Sequence, residues 1–143
     1  MLYAAAYQKS FSSRSGELAH QRALADQLLW RALEQEYGVE AGSLQMARTP
    51  QGKPYFPGGA IHFSLSHCRG MVCCAVSRSP VMKLSGQGIA YGFQRASFTF
   101  GEQGPVFREQ GVYLSQFALP GGYALSAASR EERFRLVQVE DLG

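Results

Sequence analysis

Only one stretch of this chain, residues 17–37, brings its apolar side chains back at three- and four-residue spacings. Leu18, Leu24, Leu28, Leu29, Ala32, Leu33 and Tyr37 fall on a single stripe. That is the pattern of an amphipathic helix, and Gly38 is a suitable stop. Elsewhere the chain alternates or turns. Residues 1–7, 61–66, 71–77, 112–119, 123–128 and 134–139 read as strands, with a short candidate at Leu44–Ala47 and another at Ser97–Phe100 before a hairpin turn at 101–104. One long helix and many strands imply an α+β fold. The order suggests a first half, residues 1–81, of strand, helix and strands, and a second half, residues 82–143, that is nearly all strand.

A chain of 143 residues with 45% apolar side chains can build one domain or two small interdependent halves. No run of about 18 apolar residues is present, so no membrane span is expected. Met1-Leu2-Tyr3-Ala4-Ala5-Ala6-Tyr7 has no charged stretch before its apolar run. It reads as a first strand rather than an export signal. Three cysteines, two of them adjacent, make a poor disulfide framework and point to a reducing cytoplasm. The net charge of +3 is uneven: residues 1–81 hold eight Lys and Arg against five Asp and Glu, and residues 82–143 hold six against six. The first half is the better place for a phosphate-bearing or acidic partner. An excess this small lacks the basic stripe of a nucleic-acid binder, and Phe98, Phe100, Phe107 and Tyr113 offer only weak support for one.

Two short segments carry the chemistry. Gly52-Lys53-Pro54 puts a cation on a stiffened turn. In His62-Phe63-Ser64-Leu65-Ser66-His67-Cys68, Phe63 and Leu65 alternate with Ser64 and Ser66, as in a half-buried strand, and His67 sits at the exit. Zinc does not fit: the spacings of His62, His67, Cys68, Cys73 and Cys74 match no standard site, and His62 and His67 face opposite sides of one strand. A hydrolase built on His67 and Cys68 fails similarly, because strand neighbours diverge. Cys73 and Cys74 read as a buried thiol and its outward neighbour.

Read in order, these segments resemble the 4′-phosphopantetheinyl transferases of the surfactin-synthetase-activating type. That family reads G-K-P, then F-N-[IL]-S-H-S, then a glycine turn and a strand ending C-A-[VF]. Here the same order appears as Gly52-Lys53-Pro54, Phe63-Ser64-Leu65-Ser66-His67-Cys68, Arg69-Gly70 and Cys74-Ala75-Val76. Ala19-His20 opens the helix as in the family, Lys83-Leu84-Ser85-Gly86-Gln87-Gly88-Ile89 looks like its K-x-x-G-x-G-[LI], and Gly121 to Ser126 resembles its penultimate strand. The resemblance spans nearly the whole chain. It implies two similar α+β halves about a pseudo-twofold axis, with the ligand between them. It also implies transfer of 4′-phosphopantetheine from coenzyme A to a serine of an acyl or peptidyl carrier protein.

By the same resemblance Gly52, Lys53, Pro54, Ser66 and His67 bind coenzyme A: Gly52-Lys53-Pro54 packs at the adenine and ribose 3′-phosphate, and Ser66-His67 contacts that same phosphate. Lys83, ending a helix, takes the catalytic place beside the pyrophosphate. His20, Arg22, Arg14, Lys9 and Arg48 are lesser candidates for the 3′-phosphate. The family's magnesium ion needs carboxylates from G-[VI]-D-[IV]-E and from a helix reading W-[ST]-x-K-E-[SA]. This chain passes from Ser79-Pro80-Val81 to Met82-Lys83 with neither. Glu102, Glu109, Glu131, Glu132 and Asp141 sit in or beside the wrong strands, so no metal ligand is assigned. Losing that helix would bare an apolar sheet face at about 25 cal/mol per Å². Residues are therefore expected to be missing between Val81 and Met82.

Overall fold

The computed structural model describes residues 1–8, 11–78, 81–85, 99–101, 104–109, 112–129, 134–140 and 142. In chain order they form β1 (Leu2–Ala6), α1 (Arg14–Tyr37), β2 (Ala47–Arg48), β3 (Pro54–Tyr55), β4 (His62–Cys68) and β5 (Met71–Ser77). There follow β6 (Val81–Ser85), β7 (Thr99–Gly101), β8 (Gly104–Glu109), β9 (Val112–Leu119), β10 (Tyr123–Ser129) and β11 (Leu136–Gln138).

Helix α1 begins one turn before the apolar stripe. Ser13, in extended backbone, caps it: its hydroxyl accepts from the Gly16 N–H at 3.1 Å, and Glu17 stands in the positive first turn. Gly38, at φ 67°, closes the other end and donates to the Glu34 carbonyl. Leu24, Leu28, Leu29, Ala32 and Leu33 are buried as the stripe predicts.

Two sheets and the helix stack in three layers. The first sheet has the order β11-β1-β5-β4 and the second β6-β10-β9-β8-β7; β2 and β3 form a separate ribbon. On the first sheet Tyr3, Ala5, Phe63, Val72, Cys74 and Val76 pack against α1. From its other face Leu2, Ala4, Met71, Cys73 and Ala75 meet Leu119, Leu125, Ala127 and Phe134. Every residue of β5 is therefore buried, which explains its near-continuous apolar sequence. Cys74 is not an outward neighbour of a buried thiol: both Cys73 and Cys74 are 0% exposed. Each full burial of a Leu or Val in these layers contributes about 1.5–3 kcal/mol.

The second half departs from expectation in two places. Leu136–Gln138 leaves its own half and pairs in parallel with β1, Leu2 opposite Leu136. Val81 and Met82 are consecutive residues of β6, and Lys83 lies in that strand opposite Ala128 rather than at a helix end. The reason is local: β10 would otherwise present an open row of backbone donors and acceptors, and β6 satisfies it. Val81 pairs with Ser129 and Lys83 with Ala128, which makes Met82 the extra residue of a β-bulge. Among the described residues, Leu119, Leu125 and Ala127 of the second sheet are covered by the first sheet. No helix among the described residues is long and apolar enough to cross a membrane.

Candidate functional site

The β4–β5 hairpin turns on Arg69 and Gly70, the latter at φ 93°, a conformation that favours glycine. This turn delivers His67, Cys68 and Arg69 to the N-terminal turn of α1. Hydrogen bonds fix the junction. The Tyr7 N–H donates to the Gly70 carbonyl at 2.9 Å. Gln21 Nε2 donates to the Cys68 carbonyl at 3.0 Å and to the Tyr7 hydroxyl oxygen at 2.6 Å. The Tyr7 hydroxyl in turn donates to Glu17 Oε1 at 2.7 Å. From the second sheet, the Tyr123 hydroxyl donates to the Arg69 carbonyl at 2.8 Å.

Between these elements lies a cleft of about 200 Å³ lined by Arg14, Glu17, Leu18, Gln21, His67, Cys68 and Arg69. Arg14 and His67 are exposed, and the Arg69 Nε lies 3.9 Å from Glu17 Oε2. Among the described residues two guanidiniums, an imidazole and the positive end of α1 face a single carboxylate, so the cleft favours an anion. Its volume is below that of a pocket that encloses a whole drug-sized ligand, roughly 300–1,000 Å³. It fits one charged end of a larger molecule. Burial, with the Glu17 carboxylate adding to it, raises the Tyr7 hydroxyl above its usual range and keeps it a donor at neutral pH.

Lys53 lies elsewhere. The β2–β3 ribbon turns over residues 49–52, with the Gly52 N–H donating to the Thr49 carbonyl at 2.8 Å and Gly52 at φ 87°. Phe56 anchors the ribbon, its ring 5.8 Å from Trp30 of α1 and 4.8 Å from Phe63 of β4. Lys53 and Pro54 line a second cleft of about 370 Å³ with Thr49, Tyr55, Phe56 and His62. This cleft is at the His62 end of β4, and His67 is at the other end, roughly 16 Å away at the rise of an extended strand. Ser66 and His67 also part company. Ser66 pairs opposite Cys73, on the face toward the second sheet, and His67 opposite Val72, on the face toward α1.

The structure thus keeps Gly52, Lys53 and Pro54 together and places His67 in a different cleft, while β6, the strand of Lys83, runs beside β4. Among the lesser candidates, Arg14 lines the His67 cleft. His20 packs against Phe11 and Tyr7, with ring centroids 4.9 and 5.3 Å away. Arg22 is exposed on α1, and Arg48 donates to the Gly52 carbonyl at 2.8 Å. Lys9, Gly86, Gly88, Glu102, Glu131, Glu132 and Asp141 lie outside the described residues. Tyr7, Glu17, Gln21 and Arg69 were not singled out from the sequence. Gln21 left a signal, because it is a polar residue at a core position of the stripe, in step with Leu18, Ala25 and Leu28.

Among the described residues no three His, Cys, Asp or Glu side chains come together as a metal centre requires. Among the described residues Glu17 is the one carboxylate on the His67 cleft, and it already serves Tyr7 and Arg69. The cleft residues do not fit a magnesium ion, which prefers several oxygen ligands. No family model matches this chain, and neither does any curated protein.

Proposed function

We propose that this chain is a 4′-phosphopantetheinyl transferase relative that binds coenzyme A through its phosphate-bearing adenosine end. The observation that carries the reading is the cationic cleft at the end of β4, where Arg14, His67 and Arg69 converge on the motif segment. Lys53 and Pro54, in the other cleft at the far end of β4, would give a longer part of the same molecule a second contact surface bordered by Tyr55 and Phe56. On this reading the two sheets correspond to the family's two halves, and Lys83, whose strand β6 runs beside β4, keeps the family's pyrophosphate role. The proposed setting is the reducing cytoplasm.

The reaction under this proposal is transfer to a serine of an acyl or peptidyl carrier protein. The serine oxygen bonds to the pantetheine-bearing phosphorus, and the P–O bond to the departing adenosine 3′,5′-bisphosphate breaks. The serine proton passes to a base. Positioning and charge neutralisation dominate such a step, and the residues described here contribute by anchoring the departing nucleotide. A second reading, a coenzyme A binder without transfer, is favoured by one observation: Glu17, the one cleft carboxylate among the described residues, is already engaged.

Titration of coenzyme A into the full chain, followed by incubation with coenzyme A, magnesium and an apo carrier protein, separates the readings. Binding with a mass gain on the carrier supports the transferase. Binding without it supports the binder. Absence of binding removes the family reading. His67→Ala is expected to weaken coenzyme A binding by about tenfold, the size of one lost charge-assisted hydrogen bond.

A further inference from the structure

We infer that Arg69 is a phosphate-binding residue of the cleft, held in reserve by Glu17, and that its guanidinium leaves Glu17 for the ligand when an anion enters. The inference rests on the reading above that the cleft takes a phosphate-bearing end.

Arg69 has a fixed backbone and a free-reaching side chain. It opens the hairpin turn, and its carbonyl accepts from Tyr123 at 2.8 Å. Its side chain is 70% exposed, yet it lies along the cleft, 3.9 Å from Glu17 Oε2. That separation is beyond hydrogen-bond reach. The contact is a weak, exposed Coulomb pair of the kind that exchanges readily. Glu17 cannot follow a departing partner, because its other oxygen accepts from Tyr7 at 2.7 Å, and Tyr7 is bound to the buried Gln21. The mobile member of the pair is therefore the arginine.

A phosphate monoester offers what Glu17 does not in this geometry: oxygens that can accept two parallel guanidinium bonds. Arg69 stands on the same cleft as Arg14 and His67, so its transfer sets two guanidiniums and an imidazole around one dianion. Glu17 then acts as an internal competitor, occupying a cation until a better acceptor arrives.

The test is isothermal titration of the full chain with adenosine 3′,5′-bisphosphate and with inorganic phosphate. It compares the wild type, Arg69→Gln, Glu17→Gln, the double variant and His67→Ala, with thermal melts to confirm folding. Arg69→Gln should melt as the wild type does and bind the bisphosphate about tenfold more weakly. Glu17→Gln keeps an acceptor for Tyr7 and loses the charge, so it should bind several-fold more tightly. That gain should shrink in the Arg69→Gln background. Wild-type affinity in Arg69→Gln, with binding weakened about tenfold in His67→Ala, overturns the role of Arg69 and leaves the phosphate cleft intact. Additive effects of the two substitutions overturn the exchange. If the wild type binds neither probe, the cleft reading and this inference fall together.

Discussion

Cys73 and Cys74 are consecutive on β5 and both are 0% exposed, yet their side chains belong to opposite interfaces: Cys73 meets the second sheet and Cys74 meets α1. A strand covered on one face cannot bury two neighbours; only a central layer can.

Thiol chemistry should report this directly. Cys68 is partly exposed. A disulfide reagent at mildly alkaline pH is expected to modify Cys68 in the native protein and to reach Cys73 and Cys74 only after unfolding, because a desolvated thiol resists ionisation. Rapid native labelling of two or three cysteines, read by mass spectrometry, would contradict the three-layer packing.

Alkaline pH should destabilise the fold. Burial pushes the Cys73 thiol up to about 12, with Cys68 adding to the effect. Burial also raises Cys74, and it raises Tyr3, whose hydroxyl donates to Glu36 at 2.7 Å. These groups stay protonated in the folded chain, while an unfolded cysteine ionises near about 8.5. The unfolded state then binds fewer protons, so stability is full below that value and falls above it. The expected loss is about 1.4 kcal/mol per pH unit for each thiol. Urea midpoints at pH 8, 9 and 10 measure it, and a flat profile would refute it.

Gln21 and Leu28 are both buried on α1 but hold different things. Leu28→Ala removes core packing and should cost about 2–5 kcal/mol, leaving anion binding at the cleft little changed. Gln21→Leu is close in size but removes the hydrogen bonds to the Cys68 carbonyl and to the Tyr7 hydroxyl oxygen. It should cost about 1–3 kcal/mol and weaken anion binding as well. Urea denaturation and titration on both variants make the comparison. Equal binding losses would show that the Gln21 effect is general destabilisation.

Two glycines with nearly equal backbone angles should respond unequally to alanine. Gly52, at φ 87°, has open space around an added Cβ, so Gly52→Ala carries only the backbone strain, about 1–2 kcal/mol. Gly121, at φ 86°, would bring its Cβ to 3.0 Å from the Tyr123 ring. Gly121→Ala should cost more, and it should loosen the bond from Tyr123 to the Arg69 carbonyl. Thermal melts rank the two; the reverse order would remove the steric argument.

The helix and most strands were legible because their periods differ and each is set by nearest neighbours along the chain. The run from Met71 to Ser77 has few polar side chains on either parity, but the expectation of an outward Cys74 did not anticipate that both faces are covered. What was not legible depends on distant partners. Nothing near Val81–Ser85 announces that it will edge β10, and nothing near Leu136 announces β1. The Lys53 and His67 motifs are close in sequence, but the strand between them is extended and carries them to opposite ends. Glu17 and Arg69 meet only because the hairpin folds over the start of α1.

The parallel pairing of β1 with β11 bears on how the protein reaches its native state. Leu2 must wait for Leu136 before the first sheet has its final edge, and for Ala75 before it has its centre. Folding therefore relies on contacts between residues far apart in the chain, the regime of slow closure, on the order of milliseconds to seconds. During synthesis the first strand leaves the ribosome long before its second partner exists.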